Sequence, residues 1–173
     1  EPIHLERTGG KDDPFEQLEI RTSPLSEAYL ALRSVLSFST SEGLPKVILC
    51  TSSLPGEGKS TTSYALARSF GAIGKKTLLL DGDLRKPTVH YLFDLPREPG
   101  FSEVIVGDKP ISEVVHKADS PNLDVLTCGT MPPNPAELFS GDHAAAAIDR
   151  LAELYDVVII DGKARGIFVR NLT

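Results

Sequence analysis

The sequence is poor in cysteine: Cys50 and Cys128 are the only two, and they lie far apart. Two distant cysteines make no disulfide framework and fit a reducing cytosol, where free cysteines serve as small buried hydrophobes. No apolar run approaches the roughly 20 residues that cross a bilayer, and no secretory signal opens the chain. Methionine occurs once, at Met131, and the first residue is Glu1. The chain is therefore expected to be a piece of something longer, and a membrane-spanning part could precede it. Positive charge is also scarce, with 18 Lys and Arg against 24 Asp and Glu and a net charge of −6. That balance argues against a general affinity for nucleic acid or anionic lipid. The four histidines are scattered without metal-ligand spacing and read as structural or surface residues. There is no internal repeat and no low-complexity tract.

What is present suits one folded domain. The chain has 173 residues, 40% of them apolar and 24% charged, enough for one α/β core and too few for two. Residues Glu1 to Pro24 hold Gly9-Gly10 and three prolines without a sustained period, and read as a linker or juxtamembrane segment. Ser26 is placed to cap a helix running to about Ser39, with Ala28, Leu32, Val35 and Leu36 on one face. Lys46 to Thr51, Lys76 to Asp81, Leu123 to Thr127 and Asp156 to Asp161 are short apolar runs with the pattern of strands covered on both sides. Helices are predicted from Lys59 to about Ala72, with Gly71 and Gly74 marking the end, after Asn134-Pro135, and from Ala144 to Leu154. Strands alternating with helices imply an α/β fold: a mostly parallel sheet with helices on both faces, a Rossmann-like three-layer arrangement. Ligands of such sheets bind at the carboxyl ends of the strands.

Three motifs gather at that edge. Ser53-Leu-Pro-Gly-Glu-Gly-Lys-Ser60 matches the phosphate loop G-x-x-x-x-G-K-[ST], with Ser53 in place of the first Gly. Gly56 and Gly58 allow backbone N–H groups to face phosphate oxygens, Lys59 brings charge to the β and γ phosphates, and the Ser60 hydroxyl can ligate magnesium. Asp81 and Asp83 follow a buried strand at i and i+2, placed to hold magnesium or accept a hydroxyl proton. Asp161 ends four apolar residues, the Walker B pattern, in which the acid reaches the metal through water. Arg85 is a further candidate to face the phosphates. Residues 25–173 are thus read as a P-loop domain that binds ATP and Mg²⁺, a nucleotide-binding set of Ser53, Pro55, Gly56, Glu57, Gly58, Lys59, Ser60, Thr61 and Arg85. Ser60, Asp81 and Asp161 are the magnesium candidates, and Lys59, Asp81 and Asp83 the catalytic ones.

With these residues in view, the chain resembles the bacterial tyrosine kinases of exopolysaccharide and capsule biosynthesis. The resemblance runs through Ser26-Glu-Ala-Tyr-Leu-Ala-Leu-Arg33, Thr51 to Thr61, Leu80-Asp-Gly-Asp-Leu-Arg-Lys-Pro87, Asn122 to Leu126, Pro133-Asn-Pro-Ala-Glu-Leu138 and Tyr155 to Asp161. It implies a P-loop fold related to the partitioning ATPases and ATP-dependent phosphorylation of tyrosines, largely in the Tyr-rich tail of a neighbouring subunit. It implies that Lys59, Ser60 and Thr61 serve the phosphates, that Asp81 or Asp83 activates the tyrosine hydroxyl, and that Asp161 assists the metal. It further implies a homo-oligomeric ring and a membrane-embedded polysaccharide co-polymerase domain as activator, hence work at the cytoplasmic face of the membrane.

Three departures qualify the resemblance. The family's Glu-x-x-Arg-x-x-Arg on the first helix reads Glu27, Leu30, Arg33 here, and Leu30 lacks the bidentate contacts of the middle Arg, which weakens the expected ring. Asp161 is followed by Gly162 to Thr173 instead of a small residue and two prolines, an atypical ending expected of a truncated or frameshifted domain, with Gly166 to Arg170 a candidate substitute edge strand. No tyrosine follows Tyr155, so the Tyr-rich acceptor tail is lacking in this stretch. Two other readings compete. One is a partitioning or septum-positioning ATPase, disfavoured by Leu54 where such proteins usually carry a second lysine. The other is an inactive nucleotide-binding remnant.

Overall fold

The computed structural model describes residues 14–19, 23–52 and 58–162. Its centre is a five-stranded sheet in the order β1-β5-β2-β4-β3: β1 Val47–Cys50, β2 Thr77–Asp81, β3 Val115–Lys117, β4 Leu123–Leu126 and β5 Val157–Asp161. Neighbours among β1, β5, β2 and β4 are parallel, and β3 is antiparallel on β4. The four apolar runs are therefore the four parallel strands. β2, β4 and β5 are buried at every position, whereas β1, at one edge of the described sheet, is half-buried over Val47 to Leu49. The three-residue edge strand β3 is too short to show a period and was not foreseen.

Side chains alternate across the sheet, and each face has its own core. Leu78, Leu80, Leu126, Val158 and Ile160 pack with helices α5 (Phe101–Val106) and α8 (Asp142–Leu154). Leu79, Val125, Val157 and Ile159 pack on the other side with Leu66, Ala67 and Phe70 of α3 (Lys59–Ala72) and Val89 of α4 (Val89–Leu92). The three-layer expectation holds. Of the other short helices, α6 (Ile111–Val114) runs straight into β3, and α7 (Pro135–Ser140) leads into α8.

Local expectations were corrected in three places. The stretch read as linker contains α1 (Pro14–Glu19), whose Phe15 ring meets Tyr64 of α3 edge-on at 5.5 Å. Helix α2 (Pro24–Leu36) begins earlier than expected because Ser23, not Ser26, is its cap: Ser23 Oγ accepts from Ser26 N at 3.1 Å. Its inward face is also different. Tyr29 donates or accepts at Thr62 Oγ1 (3.0 Å), Arg33 donates to the Ser69 carbonyl (3.1 Å), and Leu36 joins the α3 core. Polar tips with apolar stems thus take the α3 face, while Leu32 and Val35 stay exposed. Gly74, with φ of +84°, ends α3 as foreseen, but Gly71 lies inside the helix. It is there for contact: a Cβ at Gly71 would collide with the Pro121 carbonyl oxygen.

Candidate functional site

The site is built on the carboxyl ends of the strands. Asp161 is in register with Cys50 on one side and Asp81 on the other. Period-2 alternation puts Val157, Ile159 and Asp161 on one face, and that face is the one α3 covers. The same rule turns Asp81 after Leu79 toward α3. Gly58, left-handed at φ +79°, stands at the N-cap of α3. A residue with a Cβ pays for that conformation, and glycine does not. Lys59, Ser60 and Thr61 therefore form the first turn of α3, directly above the two buried acids. Ser53 to Glu57, including Pro55 and Gly56, lie outside the described residues, as does the edge strand expected at Gly166 to Arg170.

The side chains converge. Lys59 Nζ donates to Asp161 Oδ1 at 2.6 Å; the Ser63 hydroxyl, one turn along the helix, donates to the Lys59 carbonyl at 2.9 Å and lies 3.3 Å from the same Asp161 oxygen. Asp161 is fully buried and Lys59 nearly so, at 14% exposed. Asp81 is also fully buried. Its Oδ1 accepts the Asp83 amide (3.2 Å), and its Oδ2 accepts the amides of Thr88 (3.0 Å) and Val89 (2.9 Å). Asp83 Oδ1 accepts the Arg85 and Lys86 amides at 3.2 and 3.1 Å. Burial pushes the Asp81 carboxyl up to about 7, the three amides pull the other way, and the Asp161 charge adds to the rise. The Arg85 side chain is exposed beside this loop.

Residues 45–171 match a family model described as an AAA domain. Tyrosine-protein kinase YwqD of Bacillus subtilis (strain 168) is 42% identical over 136 residues, 79% of this chain and 57% of YwqD. The crystal structure of the VpsO kinase domain superposes with a TM-score of 0.76 at 31% identity, over 88% of this chain and 71% of that one. The chain belongs to the bacterial tyrosine-kinase family. More distantly, the septum site-determining protein MinD of Pyrococcus horikoshii OT3, complexed with Mg-ADP, shares the fold at a TM-score of 0.58 and 21% identity. The chain spans little more than half the length of YwqD.

In this tyrosine-kinase family member, the chemistry of the donor set suits a hard cation. Ser60, Asp81 and Asp161 offer oxygen only, as Mg²⁺ requires. Among the described residues no cluster of three or more His, Cys, Asp or Glu forms a metal cage by itself. One or two carboxylates sharing an ion with substrate phosphates would need no such cage. Both cysteines are free and buried, and burial raises both thiols, Cys128 to about 12, which disfavours the reactive thiolate. Two site residues were missed in the sequence. Ser63 was legible, since it lies at i+4 from Lys59 on the same helical face. Thr88 had only the helix-start signal of Pro87-Thr88, and nothing in its spacing pointed to the acids.

Proposed function

We propose that this domain is an ATP-dependent protein tyrosine kinase that requires Mg²⁺ and regulates capsule or exopolysaccharide synthesis at the inner face of the membrane. The observation that carries the reading is the meeting of Lys59, Asp161, Asp81 and Asp83 at one strand edge, under the first turn of α3. Phosphoryl transfer asks for positioning and charge neutralisation. The ammonium of Lys59 would leave Asp161 for the β and γ phosphates, with the α3 N-terminus adding its dipole. Ser60, and Asp161 through water, would hold the ion, which neutralises charge on the transferring group. Asp81 has both oxygens committed to backbone amides, so its role is to hold the loop and the electrostatics of the site. Asp83 uses only Oδ1 in such bonds and is the better candidate to accept the tyrosine proton.

A homo-oligomeric ring and a membrane-embedded co-polymerase activator belong to the same proposal, with no role for nucleic acid. On α2, Glu27 and Leu30 are exposed, while Arg33 is spent on the Ser69 carbonyl. That arrangement supports the weakened ring contact expected of Leu30. The test is transfer of γ-labelled phosphate from Mg-ATP to a tyrosine peptide, run well below the melting temperature. Asp83→Asn and Lys59→Met are each expected to reduce transfer at least a hundredfold while the far-ultraviolet circular dichroism stays native. Undiminished transfer in both variants refutes the site.

A further inference from the structure

Thr88 stands at the N-cap position of α4, yet its side chain makes no capping bond. Its hydroxyl has no local structural duty and is turned into the site. There Thr88 Oγ1 lies 3.0 Å from Ser60 Oγ and at a longer 3.5 Å from Asp161 Oδ2, while its amide donates to Asp81 Oδ2 at 3.0 Å. One residue thus touches both oxygen donors assigned to the ion, Ser60 and Asp161, and the loop acid Asp81 as well. We propose that Thr88 is the positioning residue that aims Ser60 and Asp161 at a divalent cation bound with nucleotide.

Proton bookkeeping gives the contact a direction. A carboxylate only accepts, so the single Thr88 proton goes to Asp161. With the Thr88 proton directed there, Ser60 is the donor in its 3.0 Å contact with Thr88 Oγ1, although that contact alone permits either direction. This leaves the lone pairs of Ser60 unspent and turned away from Thr88, as a hydroxyl that ligates a cation needs them. The same contact fixes the Asp161 oxygen that Lys59 does not use. Outer partners of this kind orient metal ligands, and their loss commonly weakens metal affinity about 10- to 100-fold. The main-chain bond from Thr88 to Asp81 survives any side-chain change, so the hydroxyl can be removed without opening the loop.

The inference rests on the Mg-nucleotide reading above, and the experiment separates the two. A fluorescent ADP analogue is titrated against the whole chain in Mg²⁺ and again in EDTA. In Thr88→Val and Thr88→Ala the tightening produced by Mg²⁺ is expected to shrink about 10- to 100-fold. Affinity in EDTA stays within about twofold, and Thr88→Ser recovers the wild-type gain. A full Mg²⁺ gain in both hydroxyl-free variants overturns the role of Thr88 and leaves the nucleotide site standing. So does an equal loss in Mg²⁺ and EDTA, the mark of a merely structural residue. A wild-type chain whose affinity ignores Mg²⁺ overturns the Mg-nucleotide reading itself, and Thr88's role with it.

Discussion

Replacing Lys59 by Met should destabilise the nucleotide-free protein, and the size of the effect follows from burial. Lys59 Nζ sits 2.6 Å from Asp161 Oδ1, and the Asp161 side chain is fully buried. Without the ammonium, a carboxylate remains in the core, where among the described residues the Ser63 and Thr88 hydroxyls, at 3.3 and 3.5 Å, are left to offset its lost hydration. Removing one member of a buried ion pair costs about 3–5 kcal/mol. The two remaining hydroxyls place Lys59→Met near the lower bound, about 3 kcal/mol. In a chain of this size each kcal/mol moves the melting temperature by about 2–4 °C, which gives a drop of about 6–12 °C. The assay is thermal unfolding in EDTA, followed by circular dichroism. The double variant Lys59→Met/Asp161→Asn removes the stranded charge and should melt above Lys59→Met alone. A melting temperature for Lys59→Met within about 2 °C of wild type, or a double variant no more stable than the single, refutes the buried-pair argument.

Two further outcomes are expected. Gly71→Ala drives a Cβ into the Pro121 carbonyl oxygen, and the overpacking should cost about 1–3 kcal/mol in urea unfolding; an unchanged midpoint would show that the α3 contact with this loop is slack. His90 is nine-tenths buried, its Nδ1 has no hydrogen-bond partner among the described residues, and both burial and the Arg97 charge lower its pKa. The unfolded chain then binds the proton first as pH falls, so stability declines below about pH 6.5. His90→Phe removes that component, so its melting temperature should fall less than that of wild type between pH 7 and 5.5, and equal slopes would contradict the assignment.

The sequence by itself determined the parallel strands, helix α3 and the edge where the acids meet. Apolar runs in β2, β4 and β5 are buried on both faces, so burial at every position leaves a legible trace. The meeting of Lys59, Asp81 and Asp161 at one edge was legible for a related reason: each stands at the end of a strand or the start of the helix that follows one. Tertiary structure alone decided which face of α2 turns inward, because the partners of Tyr29 and Arg33 lie 33 and 36 residues along the chain. It alone decided that Gly71 serves a loop contact, that β3 closes an edge, and that Thr88 bridges Ser60 and Asp161. Local sequence encodes preferences over a few residues, whereas these contacts exist only once the folded sheet brings distant segments within hydrogen-bond reach.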